Sequence, residues 1–343
     1  MPPSQLNNEK NLISGTVTKV APQSISIAID KEIENLDEQL NDNEVYKIIK
    51  LCNDITHKRI KTALLNLKDL KLNDRTSRLA DVLFLNAKPD RCNINNVKFG
   101  SELAYQNQQF ELGFFNTRLD KSQKEAVQFT FEQKELAIIH GPPGTGKTTT
   151  LIEIIKQNCL KYKQKILCVA PSNIAVDNLV ERLIPAEKGY SRIQMIRLGH
   201  PARLLEHIQE YSLDSVVNKS DQYKLANDIK SDMDKTLKTI RKSSTQRGER
   251  EGLKREMREL RKELYKREER ALKEVLQKAD IILATMTTTH DSGSLKHLKD
   301  DHFDIIIIDE CSQAMEAACW IPIVKGARKL IIAGDHLQVN YKI

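Results

Sequence analysis

Residues 136–150 read LAIIHGPPGTGKTTT, and this short stretch decides the fold class. The apolar run Leu136–His140 has the composition of a buried strand, and residues 149–158 have the spacing of a helix. Residues 141–148 lie between them and match the pattern GxxxxGK[ST], whose glycines let backbone N–H groups approach a polyphosphate. A strand, a glycine-rich turn and a helix in this order predict a phosphate-binding loop.

The residue types in this loop predict their roles. Lys147 would neutralise the charge of the β and γ phosphates of a bound polyphosphate, and the Thr148 hydroxyl would coordinate Mg²⁺. A chance glycine-rich turn is the alternative, but it gives no reason for the flanking strand and helix. The loop residues predicted to bind the nucleotide are Gly141, Pro142, Pro143, Gly144, Thr145, Gly146, Lys147, Thr148 and Thr149.

Outward from this loop, the chain alternates apolar strands with helices. Such a rhythm predicts an α/β fold with a parallel sheet covered by helices on both faces, as in the P-loop NTPases. The six predicted strands are Leu136–His140, residues 165–170, 193–198, 279–285, 303–309, and Lys329–Gly334.

Two stretches depart from this rhythm. Residues 221–277 contain two charged runs with apolar residues at helical spacing, which predict an antiparallel helical hairpin inserted in the α/β domain. Most of their charges fit a solvated face. Residues 14–30 alternate isoleucines with polar residues and predict a β-hairpin. Two strands cannot bury a face alone, so this hairpin either docks elsewhere or lacks earlier strands.

The segment between the hairpin and the loop has helical character. Residues 45–70 predict one or two amphipathic helices, and residues 79–85 predict a further short one. Residues 86–96 are rich in asparagine and predict a loop.

The composition sets broad limits. The 343 residues are 40% hydrophobic, enough for one to three globular units. Lys and Arg number 54 against 47 Asp and Glu, and the net charge of +7 permits a phosphate-backbone partner without demonstrating one. The six cysteines lack metal-ligand spacing and fit reduced, packed thiols. Because no apolar run has membrane-spanning length, we expect a soluble cytoplasmic or nuclear protein without membrane contact.

Two acidic residues follow the apolar run 305–308. Asp309 can hold Mg²⁺, and Glu310 can orient or deprotonate water. Alone, such a pair often means that a strand has reached solvent, but the phosphate loop favours the catalytic interpretation. Gln338, in the GDHLQ segment 334–338, is a weaker candidate for sensing the terminal phosphate, since Gly-Asp after a strand is an ordinary turn.

These motifs occur in a series that resembles the superfamily 1B (Upf-like) helicases. The series comprises Gln123 in LDKSQKEAV, GPPGTGKTTT, VAPSNIAVDNLVERL, RLGHPARL, the DEC box at Asp309, and GDHLQ. The resemblance covers about residues 15–338. It implies a RecA-like domain that uses ATP and Mg²⁺ to translocate on and unwind RNA or DNA with 5′ to 3′ polarity.

The resemblance also implies roles for individual residues. Gln123 would read adenine, Lys147 and Thr148 would bind phosphate and Mg²⁺, Asp309 would hold Mg²⁺, Glu310 would activate water, and Gln338 would sense the γ-phosphate. Those expected to line the track of a single strand of RNA or DNA are Pro171, Ser172, Asn173 and Thr285.

Simpler interpretations remain open for some of these residues. Asn173 and Thr285 are equally well explained as helix-cap or strand-end residues. Phe114 and Phe115 resemble a base-stacking pair, but packing is the favoured interpretation because they precede the adenine motif.

The resemblance divides the chain into three parts. Residues 1–43 would form a partial accessory β-barrel, and residues 44–115 a helical stalk and connector. Residues 116–343 would form the first RecA-like domain, with the helical insertion at about residues 205–277.

The sequence departs from the family pattern after GDH. The family continues with Lys-Gln-Leu-Pro-Pro and a second RecA-like domain that carries an arginine finger, whereas this chain has Leu337 and then VNYKI at residues 339–343. We therefore expect a truncated product, a fragment or an incomplete gene model. As it stands, the chain is expected to be a monomer with poor ATPase activity, since loss of an arginine finger costs about 10³–10⁵ in rate. The alternative is an ATP- and nucleic-acid-binding module without helicase activity.

Overall fold

The computed structural model describes residues 15–21, 24–29, 54–68, 74–91, 113–184, 193–199, 204–242 and 247–338. The chain forms two compact units, residues 1–52 and 53–343.

The described part of the first unit is the predicted β-hairpin. Strands β1 (Gly15–Ala21) and β2 (Ser24–Ile29) pair antiparallel, with a register shift between Val17 and Lys19. Val20 is 71% exposed, which agrees with the inability of two strands to bury a face. The predicted partial barrel stays a prediction, because residues 30–53 lie outside the described ranges.

A six-stranded parallel sheet forms the centre of the second unit. All six predicted strands are present, several of them shorter at their ends. They are β3 (Leu136–His140), β4 (Ile166–Ala170), β5 (Met195–Leu198), β6 (Ile281–Thr285), β7 (Ile305–Ile308) and β8 (Lys329–Gly334). They lie in the order β3-β8-β7-β4-β6-β5. Strands β4 and β7 are buried along their whole length, and this is why they read as continuous apolar runs.

Helices cover both faces of this sheet, as predicted. They are α1 (Asp54–Lys68), α2 (Asp74–Leu83), α3 (Lys121–Glu132), α4 (Lys147–Lys156), α5 (Asn173–Leu183), α6 (Leu213–Asn218), α7 (Asp221–Lys242), α8 (Arg247–Lys278) and α9 (Glu316–Ile323). One apolar core contains Ile154 of α4 and Val176 of α5, and a second contains Leu276 of α8 and Trp320 of α9. The α/β fold class is therefore confirmed.

The helices α1 and α2 pack directly on the α/β unit. The Arg59 guanidinium of α1 donates to the Thr287 carbonyl at 2.9 Å. The ring of Phe84, just after α2, stacks on Trp320 with centroids 5.1 Å apart. Helix α2 begins at Asp74, five residues before its predicted start, so the apolar pattern did not predict the first half of this helix.

The inserted helices α7 and α8 form the predicted antiparallel hairpin. The charges of Asp221 and Lys278 interact at its base, and Lys230 Nζ lies 2.8 Å from a Glu268 oxygen further along. Small and apolar residues line the seam, among them Ala226 and Met257. Among the helices that the structure describes, none combines the length and the apolar character needed to cross a membrane.

Candidate nucleotide site and adjoining sheet edge

The candidate site lies where the parallel strands end. Gly141 follows β3, Asp309 follows β7 and Asp335 follows β8, so all three lie at the carboxyl edge of one sheet. The Gly141 N–H donates to the Gly334 carbonyl at 3.3 Å and joins the start of the phosphate loop to the end of β8. The strand order therefore brings the predicted loop and the predicted acids together.

Glycine is required at two points of the loop. Gly144 and Gly146 have φ angles of 80° and 83°, in the left-handed region that other residues rarely adopt. A Cβ on Gly146 would also lie 2.4 Å from Nε2 of Gln123. The loop is closed by the Thr145 hydroxyl, which donates to the Pro142 carbonyl at 2.7 Å. Pro142, Pro143, Gly144 and Thr145 are exposed.

Lys147 lies inside the curve of the loop. It is the first residue of α4, it is buried, and its Nζ donates to the Gly141 carbonyl at 2.7 Å and the Pro142 carbonyl at 3.4 Å. Thr148 and Thr149 follow it in the first turn and are half-buried. A positive side chain and the N-terminal end of a helix point to one place, which is a favourable environment for phosphate.

Asp309 is a buried carboxylate with few compensating contacts. It is 3% exposed, and its Oδ1 accepts the Glu310 N–H at 2.9 Å. Burial raises its pKa to about 6, an effect that the Glu310 charge reinforces and the nearby Lys147 charge opposes. Glu310 has a φ of 50°, and its Oε2 accepts from Gln313 Nε2 at 3.2 Å.

Gln123 is tied to the phosphate loop. It is the third residue of α3 and forms a capping box with Asp120: its N–H donates to Oδ1 at 2.8 Å, and its Oε1 accepts the Asp120 N–H at 3.2 Å. Its Nε2 donates to the Thr145 carbonyl at 3.1 Å. Helix capping accounts for the first two bonds, but the third links the predicted adenine reader to the loop.

Two buried polar residues of α4 and its continuation were missed by sequence reasoning. Glu153 accepts the N–H groups of Phe115 and Asn116 at 2.8 and 2.9 Å. Gln157, in the π-helical turn Gln157–Lys161, donates to the Gly113 carbonyl at 2.7 Å. They hold the segment that leads to Gln123 against the helix that begins at Lys147. The available signal was two polar residues one turn apart in a helix whose run Leu151–Ile155 is mostly apolar and buried.

The residues predicted to contact single-stranded RNA or DNA lie at the same edge of the sheet, after β4 and β6. Pro171, Ser172 and Asn173 follow β4, while Thr285 ends β6 and pairs in register with Ala170. Ser172, and not Asn173, caps α5 by accepting the Ala175 N–H at 3.2 Å. The Thr285 hydroxyl lies 2.7 Å from that of Thr288.

A buried ion pair beneath Asn173 was also missed. Arg197 of β5 is fully buried, and its Nε donates to Asp177 Oδ1 of α5 at 2.8 Å. Its Nη2 donates to Asn173 Oδ1 at 2.9 Å, and its Nη1 donates to the Leu198 carbonyl. Buried charges persist when paired and hydrogen bonded, and this network fixes the Asn173 amide at the sheet edge. The signal was an arginine within the apolar strand MIRL.

Gln338 lies in a short 3-10 turn, His336–Gln338, directly after β8. Its N–H donates to the Asp335 carbonyl at 3.0 Å. The Asp335 charge interacts with Lys147, so this turn adjoins the phosphate loop. Gln338, the predicted phosphate sensor, therefore lies at the part of the sheet edge that carries the phosphate loop.

An AAA domain family matches residues 118–340. The chain belongs to this family. The matched region begins before Gln123 and extends beyond Gln338, so it includes both halves of the sheet edge.

Three curated relatives place this AAA-family chain more narrowly. It is 47% identical to DNA-binding protein SMUBP-2 of Rattus norvegicus, over 97% of this chain and 31% of the rat protein. It is 38% identical to DNA polymerase alpha-associated DNA helicase A of Schizosaccharomyces pombe, over 97% and 46%. It is 36% identical to an uncharacterized ATP-dependent helicase of Methanocaldococcus jannaschii, over 84% and 44%. The expected relationship to superfamily 1B helicases is confirmed, and the chain spans about a third to a half of these relatives.

Proposed function

We propose that this chain is the nucleotide-binding part of an ATP-dependent helicase that acts on single-stranded RNA or DNA with 5′ to 3′ polarity. The sheet edge carries this proposal. Its β3, β8 and β7 ends bear the phosphate loop and Asp309, and its β4 and β6 ends bear Asn173 and Thr285. One rigid sheet would thus hold both the nucleotide and the single strand of nucleic acid. Two of the three relatives described above are named helicases.

Nucleotide binding would change the partners of Lys147. Its Nζ now donates to two loop carbonyls, and a phosphate oxygen is the stronger acceptor because it is charged. The loop N–H groups would bind the same phosphates, while Gln123 would contact adenine. Glu153 supports this arrangement because it anchors the segment before Gln123 to the same helix.

Asp309 and Thr148 fit the binding of Mg²⁺ together with ATP. Asp309 is a desolvated carboxylate beside Lys147, and Thr148 offers a hydroxyl in the first turn of α4. Both are oxygen donors of the kind that Mg²⁺ prefers. The ion would neutralise phosphate charge when bound. Glu310 follows Asp309 directly and would orient water and accept its proton, while Gln338 would contact the γ-phosphate.

Nucleotide binding is tested by Lys147→Ala. We expect the wild-type chain to bind a fluorescent ATP analogue in the presence of Mg²⁺ and the variant to lose at least tenfold in affinity. Lys161→Ala is the matched control, since Lys161 is exposed in the turn that continues the same helix. Equal affinity of the wild type and Lys147→Ala would show that the loop assignment is wrong.

The helicase activity is tested with partial duplexes that carry either a 5′ or a 3′ overhang. Residues 1–338 would be fused to the part of the fission-yeast relative that follows the matched region. We expect ATP-dependent separation of the 5′-overhang duplex alone, and none after Lys147→Ala. A fusion that binds ATP and the strand but separates neither duplex would leave a binding module as the function.

A further inference from the structure

Two histidines and an aspartate meet beside the phosphate loop. His140 is the last residue of β3, while Asp335 and His336 follow β8. One ligand atom of each lies within 4.8 Å of the other two. Within the described ranges, this is the one group of three histidine, cysteine or acidic residues with such proximity.

The distances suit a metal ion of the zinc class. His140 Nε2 lies 3.3 Å from Asp335 Oδ1. Zinc binds nitrogen and oxygen at about 2.0–2.2 Å, so two ligands of one tetrahedral ion lie roughly 3.3–3.5 Å apart. The pair already has this separation. The His336 ring lies against the His140 ring with centroids 4.8 Å apart. Its ligand nitrogen lies within 4.8 Å of the other two ligand atoms, so a shift on the order of 1 Å would bring it to the same ion.

The surroundings combine a fixed ligand with two accessible ones. The Asp335 side chain is 3% exposed, and its Oδ1 also accepts the Leu337 N–H at 3.0 Å. Both histidines are exposed. Three protein ligands and one open position are the arrangement of many accessible zinc sites. Imidazole nitrogen favours zinc, cobalt, nickel or copper over magnesium, which separates this cluster from the oxygen donors Asp309 and Thr148.

A simpler explanation accounts for part of the cluster. A hydrogen bond between His140 and Asp335, with the second ring stacked on the first, needs no ion. In that case His336 contributes nothing to metal affinity. Participation of His336 therefore decides between the two explanations.

We propose that His140, Asp335 and His336 together bind one divalent transition-metal ion of the zinc class. The bound ion links the end of β3 to the turn after β8. That turn includes Leu337 and Gln338, so the ion holds it in place next to the phosphate loop. The site does not depend on the proposed function, because metal binding is measured without nucleotide or nucleic acid.

Cobalt is the probe, because Co²⁺ occupies zinc sites and absorbs visible light. Titration of the 343-residue chain should show one bound equivalent with micromolar affinity, displaced by Zn²⁺. A spectrum without a sulfur charge-transfer band would exclude binding by the cysteines. His140→Ala and His336→Ala should each weaken binding at least tenfold. The control His207→Ala removes a histidine paired with Glu181 elsewhere and should change nothing.

The variant His336→Cys tests whether His336→Ala loses affinity because it lacks a ligand and not because it misfolds. It should retain binding and add the sulfur band, since thiolate is also a zinc ligand. Zn²⁺ should also slow amide hydrogen exchange at Leu337 and Gln338 in the wild type but not in His336→Ala. Undiminished affinity of His336→Ala, or no stoichiometric cobalt binding by the wild type, would overturn the proposal.

Discussion

Asp309 and Asp177 are equally buried carboxylates in opposite surroundings. Both are 3% exposed, but Asp177 is paired with Arg197, whereas Asp309 accepts a backbone N–H. The pKa of Asp309 is raised to about 6 mainly by burial, so its ionised form at pH 7 destabilises the fold. One pKa unit corresponds to about 1.4 kcal/mol. A buried carboxylate that binds a cation is expected to lower the stability of the cation-free protein in this way.

We therefore expect Asp309→Asn to stabilise the nucleotide-free chain by about 1–2 kcal/mol, seen as a higher Tm in thermal unfolding. The same variant should weaken Mg²⁺-dependent binding of ATP. Asp177→Asn is the matched comparison and should destabilise by about 3–5 kcal/mol, because the Arg197 charge would stay buried without its partner. A similar drop in stability for both variants would refute this account of Asp309.

Arg197 holds the Asn173 amide through its guanidinium. Lysine at this position keeps a charge opposite Asp177 but lacks the planar group that also reaches Asn173. We expect Arg197→Lys to weaken single-strand binding about threefold to tenfold, the effect of about one hydrogen bond, while ATP binding is unchanged.

A double-mutant cycle separates this effect from a general decrease in stability. If Arg197 acts by orienting Asn173, the double variant Arg197→Lys with Asn173→Ala should bind no more weakly than Asn173→Ala alone. Purely additive effects on affinity would mean that Arg197 does not act through Asn173.

The basic residues of the hairpin of α7 and α8 are candidates for contact with nucleic acid. Arg255 and Arg258 are exposed, and Lys262 is exposed but pairs with Glu259 at 3.1 Å; the side chain of Lys254 lies outside the described residues. Exposed pairs of this kind add little stability, so the basic residues are available to bind a phosphate backbone.

Neutralising Lys254, Arg255, Arg258 and Lys262 with glutamine should flatten the salt dependence of single-strand binding. Removing one ion pair with a phosphate lowers the slope of log affinity against log salt by about 0.7. Glutamine at Lys224 and Lys235 of α7 is the matched control, since both are exposed and paired within their helix. An unchanged slope in the first variant would establish these charges as a solvated face.

ATP turnover is expected to need more than one sheet of this kind. In the helicases that this chain resembles, ATP lies between two RecA-like domains, and the second supplies positive charge to the transferring phosphoryl group. The described residues contain one such sheet. We expect a polypeptide of these 343 residues, assayed by itself, to bind ATP but to hydrolyse it near the background rate, even with a single strand of nucleic acid present.

Fusion of residues 1–338 to the part of the fission-yeast relative that follows the matched region should raise ATP turnover stimulated by single-stranded nucleic acid. The expected increase is about 10³–10⁵, the contribution of an arginine finger. Glu310→Gln in the fusion should remove that activity while ATP binding remains. Strong strand-stimulated hydrolysis by the monomeric chain alone would contradict this expectation.

The class of fold and the positions of most helices and strands could be predicted from the sequence. The stretch LAIIHGPPGTGKTTT predicted β3, the loop and α4, and the apolar runs predicted the other five strands. Such features are local, because strand and helix periods and the need for glycine at Gly146 are set by neighbours in the chain. The candidate residues of the phosphate loop, with Asp309 and Glu310, could be named for the same reason.

Which side chains come into contact depends on the order of the strands and the packing of the helices. Arg197 pairs with Asp177 across 20 residues, Phe115 with Glu153 across 38, and His140 with Asp335 across 195. Each of these pairings depends on the strand order β3-β8-β7-β4-β6-β5 or on the packing of a helix on the sheet. An apolar pattern shows that a strand is buried, but every buried parallel strand presents nearly the same pattern, so it cannot specify the neighbours.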